Sequence, residues 1–287
     1  MAIIRLPEPE GSQVRKSEGK EHMAQIDNRY AQAGSARTDV VVDEGLRAHM
    51  LRVYNYMAGG ILLTGIVAYF VFTQAVTTDP ALAAQAAGGA AYALKRGMYL
   101  TPFGLAIFAS PLKWVVMLAP LAFVFFLSFR VYKMSLGAAQ ISFWLFAAVM
   151  GLSLSSIFLV FTGQSITQVF FVTAIAFGGL SLYGYTTKKD LSGWGSFLIM
   201  GVIGIIAASL VNLFLQSSAL QFAISVIGVL VFAGLTAYDT QRIKDGYFEV
   251  MNDATLAGKA AIMGALNLYL DFINMFTMLL QLFGNRE

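Results

Sequence analysis

The 287-residue chain contains no cysteine, so a disulfide framework, a thiolate zinc site and an iron–sulfur cluster are all excluded. Charge is scarce as well. Asp, Glu, Lys and Arg make up 12% of the residues, about half the share of an average soluble domain, while hydrophobic residues reach 57%. So little charge cannot coat a globular surface in water. With a mean hydropathy of +0.68, the solvent implied is lipid. Disorder of the whole chain and a collagen-like fibre are excluded by the same composition. The net charge of +3, without a basic stripe, gives no basis for nucleic-acid binding. Histidine is missing after His49, which removes the base that a serine nucleophile in the spans would need.

The charge that exists is concentrated at the start. Residues 1–52 hold eight Lys/Arg, eight Asp/Glu and both histidines, His22 and His49. This leader lacks an apolar run, so it is not a secretory signal peptide. Its composition predicts a disordered cytoplasmic tail that gains helicity near Asp43 to Arg52, with both histidines solvated. The seven-helix transmembrane region is expected over 53–287. Apolar runs near 53–76, 112–132, 141–161, 166–187, 196–216, 220–241 and 259–283 each approach the roughly 20 residues that cross a bilayer as a helix. No strand pattern competes, so the fold class is an all-α integral membrane protein. Two connections are long: the Ala/Gly-rich 77–110, with Lys95 and Arg96, and the polar 242–258.

Lysine and arginine set the orientation. Arg130 with Lys133, Lys188 with Lys189, and Arg242 with Lys244 and Lys259 follow the second, fourth and sixth runs, whereas the third and fifth connections carry none. The N-terminus is therefore expected in the cytoplasm and the C-terminus outside. A re-entrant last run would return the C-terminus to the cytoplasm. Gln164, Gln168, Asn212, Gln216 and Gln221 fall near the opposite span ends, where interface hydration or a pore mouth would account for them. Gly151 with Ser153, Ser155 and Ser156, then Gly178, Gly179, Ser181 and Gly184, read as close helix packing through small residues.

Two acids stand apart. Asp239 closes the sixth run in Tyr238-Asp239-Thr240-Gln241, and Asp271 lies within the seventh in Leu268-Tyr269-Leu270-Asp271-Phe272. Acids at membrane depth are costly and face a protein interior or a water cavity. Asn267, Asp271 and Asn274 follow helical spacing and mark one polar stripe, expected to face the bundle. If the two acids meet, they cannot both ionise cheaply, so they share one proton. An O–H···O bond then closes the pair. Losing the proton leaves two repelling charges whose oxygens suit a hard cation such as calcium. Arg130 reads either as a counter-charge for the pair or as a plain cytoplasmic anchor.

These residues resemble the Bax-inhibitor-1, or transmembrane Bax-inhibitor-motif, family over roughly 50–284, and the chain looks like a bacterial-type member. The resemblance is carried by Tyr238-Asp239-Thr240-Gln241 with Ile243, by Leu266-Asn267-Leu268-Tyr269-Leu270-Asp271-Phe272-Ile273-Asn274, and by Tyr183, Tyr185 and Thr186. It implies seven helices with the last one central and wrapped by the other six. It also implies a pH-sensitive calcium leak in the bacterial inner membrane, without enzyme activity or a resident cofactor. Asp239 and Asp271 would be sensor, gate and transient calcium ligands, and Arg130, matched by position, a latch. Some relatives suppress cell death and a bacterial one modulates a membrane protease, so a non-transporting regulator of other membrane proteins is the alternative. An intramembrane aspartyl protease would also pair two such acids, but it would carry Gly-x-Gly-Asp where this chain has Leu268-Tyr269-Leu270-Asp271.

Overall fold

The computed structural model describes the backbone of residues 10–85, 90–95 and 97–286, and side chains from residue 43 onward within those ranges except residue 95. Seven helices among the described residues are long and apolar enough to cross a membrane. They are α1 (Glu10–Ala75), α2 (Leu112–Arg130), α3 (Leu136–Leu154, continued by a turn over Ile157–Val160), α4 (Gly163–Thr186), α5 (Ser192–Leu215), α6 (Ser218–Val250) and α7 (Ala254–Phe283). Their starts obey elementary capping chemistry. Ser135, Thr162, Ser217 and Asp253 each accept a hydrogen bond from a first-turn amide of α3, α4, α6 and α7.

Three features differ from the sequence reading. The described part of the leader is helical from Glu10, where composition alone predicts disorder. No proline follows Pro9 until Pro80, and Ala, Gln, Glu, Lys and Arg propagate a helix once the adjoining span nucleates it. By packing, the chain divides into a unit up to Ala48 and a unit from His49 onward. His49 itself is not solvated: it is buried, its ring 5.1 Å from that of Tyr247. The side chain of His22 lies outside the described residues.

The second difference is the connection from α1 to α2. Val76–Thr77 (β1), Ala93–Lys95 (β2) and Met98–Leu100 (β3) form a small antiparallel sheet in the order β1-β3-β2. Val76 pairs with Leu100, and Gly97 takes φ 73° between β2 and β3, a conformation glycine adopts without steric cost. Arg96 lies outside the described residues. The third difference is α6. It runs nine residues beyond the expected end, so only Met251, Asn252 and Asp253 separate it from α7.

The last helix is the core. In α7 67% of the apolar window is buried in protein, against 11–39% in the other six. Tyr269, Leu266, Leu268, Ile262, Met275 and Leu280 are all fully enclosed. The outer faces of the surrounding helices stay apolar and open, as with Phe214 on α5 and Ile175 on α4, which is the surface that lipid covers. The chain is an integral membrane protein.

Two ends can be told apart. At the basic end, Lys259 donates to the Tyr132 carbonyl just past α2 at 3.1 Å, and Lys244 to the Tyr185 carbonyl in the last turn of α4 at 3.1 Å. Each lysine satisfies an orphan carbonyl at the negative end of a helix dipole. Gln241 ties down the α4–α5 connection, donating to the Lys189 carbonyl and accepting from the Leu191 amide, both at 2.8 Å. At the opposite end, the Thr162 amide donates to the Asn285 carbonyl and the Asn285 amide to Ser165 Oγ, both at 3.0 Å. The chain therefore leaves α7 at the α3–α4 junction, so α7 crosses the whole bundle and is not re-entrant.

Candidate functional site: an aspartate pair between the last two helices

The three-residue connection makes α6 and α7 an antiparallel pair about a point near Asp253. Side chains along the seam record the register. Ser225 meets Gln281 at 3.1 Å, Gly228 lies against Met278, and Gly264 against Ile243. Extended along the seam, that register sets Asp239 level with Asn267, and Asp271 lies one turn further along α7. Their carboxyl groups meet within hydrogen-bonding reach, although the two acids lie at different distances from their own helix ends. Asp239 lies about three turns inside α6 rather than closing it, which places it within one turn of Asp271.

Asp271 is buried, and its Oδ2 has no hydrogen-bond partner among the described residues. Asn267 and Asn274, on the same stripe, are half-buried beside it. Carboxylates only accept hydrogen bonds, so a bond between two of them requires one proton. That proton belongs to the pair rather than to either residue. A second negative charge here would sit on a buried oxygen without a donor.

The positive charge that reaches Asp239 is Arg242, one turn further along α6. Arg130 ends α2 with an exposed side chain and is not among the groups acting on either carboxyl. Among the described residues, no third His, Asp or Glu joins the pair to make a cluster of metal ligands. A cation held between the two acids would complete its shell with water and neutral oxygens.

Two hydroxyl chains, invisible as motifs, frame the pair. Thr240 donates to the Thr236 carbonyl at 2.7 Å and so accepts from Ser181 at 2.9 Å, and Ser181 in turn accepts from Tyr54 at 2.7 Å. On the other flank, Thr64 donates to the Ala147 carbonyl at 2.9 Å and accepts from Tyr269 at 2.6 Å. The first chain ties α1 to α4 and α6 next to Asp239. The second ties α7 to α1 and α3 two residues from Asp271.

Small residues allow the approach. A Cβ on Gly184 would collide with the backbone of Ala237, and one on Gly151 with the Thr64 carbonyl and Val67, whereas Gly178 and Gly179 face open space. Asn212, Gln216 and Gln221 line a cavity at the end opposite the basic one, while Gln164 and Gln168 are exposed.

The comparisons agree with this architecture. A protein of Caulobacter vibrioides is 45% identical over 92% of this chain and all of its own length. One of Rickettsia prowazekii is 47% identical over 85% of this chain and 92% of its own. The inner membrane protein YbhL of Escherichia coli K12 is 45% identical over 88% of this chain and 98% of its own. The sequence profile described as "Inhibitor of apoptosis-promoting Bax1" matches residues 46–287, a stretch that includes both aspartates and all seven apolar helices, and the chain belongs to that Bax inhibitor-1 family.

Proposed function

We propose that this protein is a calcium-permeable leak of the bacterial inner membrane, closed while Asp239 and Asp271 share a proton and opened when they lose it. The observation that supports the reading is the meeting of the two carboxyl groups between the central helix and α6. Deprotonation converts a bond across that seam into repulsion and supplies two hard oxygen ligands. Flux then rises as pH rises through the titration of the pair. Calcium is cargo here, not a resident cofactor. Arg242 serves as counter-charge to the ionised pair, a role for which Arg130 was a candidate beside its reading as a plain anchor. The reading is not enzymatic, because the second acid stands in Leu268-Tyr269-Leu270-Asp271 and not in Gly-x-Gly-Asp. That the E. coli relative is an inner membrane protein supports the location, and the basic end supports a cytoplasmic N-terminus.

The test is calcium flux into proteoliposomes from mildly acid to mildly alkaline buffer. Wild-type flux rises with pH. Asp239→Asn and Asp271→Asn keep an N–H donor in the pair, mimic the protonated state, and hold flux low and flat. His49→Phe keeps the ring packing on Tyr247 and leaves the pH response unchanged. Flux that is absent from the pure wild-type chain would overturn the channel reading in favour of a regulator of other membrane proteins. A pH profile abolished by His49→Phe but kept by both aspartate variants would overturn the sensor.

A further inference from the structure

A cavity of about 660 Å³ opens at the end of the bundle remote from the aspartates. Its lining mixes polar side chains, among them Gln216, Ser217, Gln221 and Gln281, with apolar Phe161 and Phe222. Arg286 supplies the formal charge, and no carboxylate lines the cavity among the described residues. We propose that this cavity binds a phosphate group, either the headgroup phosphate of a membrane phospholipid or free phosphate.

The guanidinium of Arg286 is placed, not trailing. Its backbone pairs with Phe161 as an isolated antiparallel bridge, anchored by the two hydrogen bonds of Asn285. The guanidinium lies over the Phe161 ring, 5.7 Å from its centroid. That contact uses one face of the planar group and leaves its N–H edge to donate, the geometry that suits two oxygens of a phosphate. The first turn of the 33-residue α6 begins at the same cavity, at Ser217 and Ser218, and its amides add partial positive charge. The Gln221 and Gln281 carboxamides bond to each other and to Ser225, which holds them as a fixed polar wall.

Position within the membrane favours the lipid source. The lining residues sit where α3, α5, α6 and α7 begin or end, which is headgroup level for helices that span the hydrocarbon. At the rim, Val160 and Phe222 are 44% and 64% exposed and offer an apolar path for an acyl chain. The inference does not use the aspartate pair and holds whether or not the chain conducts calcium.

The test is native mass spectrometry of the detergent-purified full chain, titrated separately with dioleoylphosphatidylglycerol and with inorganic phosphate. Arg286→Gln and Arg286→Lys are run beside wild type, with a circular dichroism melt as the folding control. Retention of the phospholipid by wild type, weakened about tenfold in Arg286→Gln and less in Arg286→Lys, supports a lipid headgroup site, since a charge-assisted hydrogen bond lost is worth roughly that factor. Binding of inorganic phosphate that vanishes in Arg286→Gln, with lipid retention unchanged, supports the same chemistry from a soluble source. Equal retention of both probes by wild type and Arg286→Gln overturns the proposal.

Discussion

At the scale of single residues, what distinguishes the site is where protons are pinned. Tyr269 is fully buried, and its hydroxyl has Thr64 as partner, itself committed to the Ala147 carbonyl. Thr64→Val keeps the shape but leaves the tyrosine O–H without its acceptor, at an expected cost of about 1–3 kcal/mol. Tyr269→Phe in the same background removes the stranded group and recovers part of that cost. A double-mutant cycle on melting in detergent measures the coupling, and strictly additive effects would show that the bond contributes nothing. Surface acids behave otherwise. Asp190, in the α4–α5 connection, accepts from the Ser192 hydroxyl and amide, which hold its carboxyl below the ordinary carboxylate range. It stays ionised near neutrality, and its contribution to stability is lost only as pH falls through that depressed value. The aspartates were readable in the sequence because an acid in an apolar run is costly and must face protein or water. Tyr54, Thr64, Ser181 and Thr240 were not, because hydroxyls in membrane helices commonly bond back to their own helix, as Thr173 and Thr236 do here.

At the scale of elements, the decisive quantity is the length of α6. A polar run after Gln241 reads as a connection, and that reading put Asp239 at the membrane edge and Asp271 deeper. Arg242, Lys244, Asp245 and Glu249 instead continue the helix, and the real break is Asn252-Asp253, whose carboxylate caps α7 through the Thr255 and Leu256 amides. With three residues between the helices, antiparallel register brings the two acids within one turn of each other, so their proximity was implicit in a cap signal that the charge pattern masked. The spans themselves were legible because lipid admits only helices of sufficient apolar length. The small sheet between α1 and α2 was not, because its strands are two or three residues long. Close packing between elements yields a matched pair of variants on α4. Gly184→Ala forces a Cβ into the Ala237 backbone and is expected to destabilise by about 1–3 kcal/mol. Gly179→Ala meets nothing within 4 Å and is expected to be neutral or slightly stabilising. Melting temperatures of the two variants decide it, and equal losses would mean that α4 and α6 do not approach as described.

At the scale of the whole molecule, one helix runs through the bundle from end to end. Without a hydrophobic drive between helices in lipid, the bundle holds by packing and buried polar bonds, and burial is greatest along α7. The lysine-capped carbonyls fasten its start to α2, and the Asn285 bonds fasten its exit to the α3–α4 junction. Asn252 and Asn285 therefore belong to opposite faces of the membrane, and the lysine-rich face that carries Asn252 is the one expected in the cytoplasm. The absence of native cysteine makes this directly measurable. Asn252→Cys and Asn285→Cys, each alone, are expected to react with a membrane-impermeant maleimide from opposite sides of right-side-out and inverted vesicles. Asn285→Cys should label in the right-side-out preparation and Asn252→Cys in the inverted one. Labelling of both from one side would make α7 re-entrant. The seam that joins Asp239 to Asp271 would then not connect the two faces, and a proton on that pair could not govern passage between them.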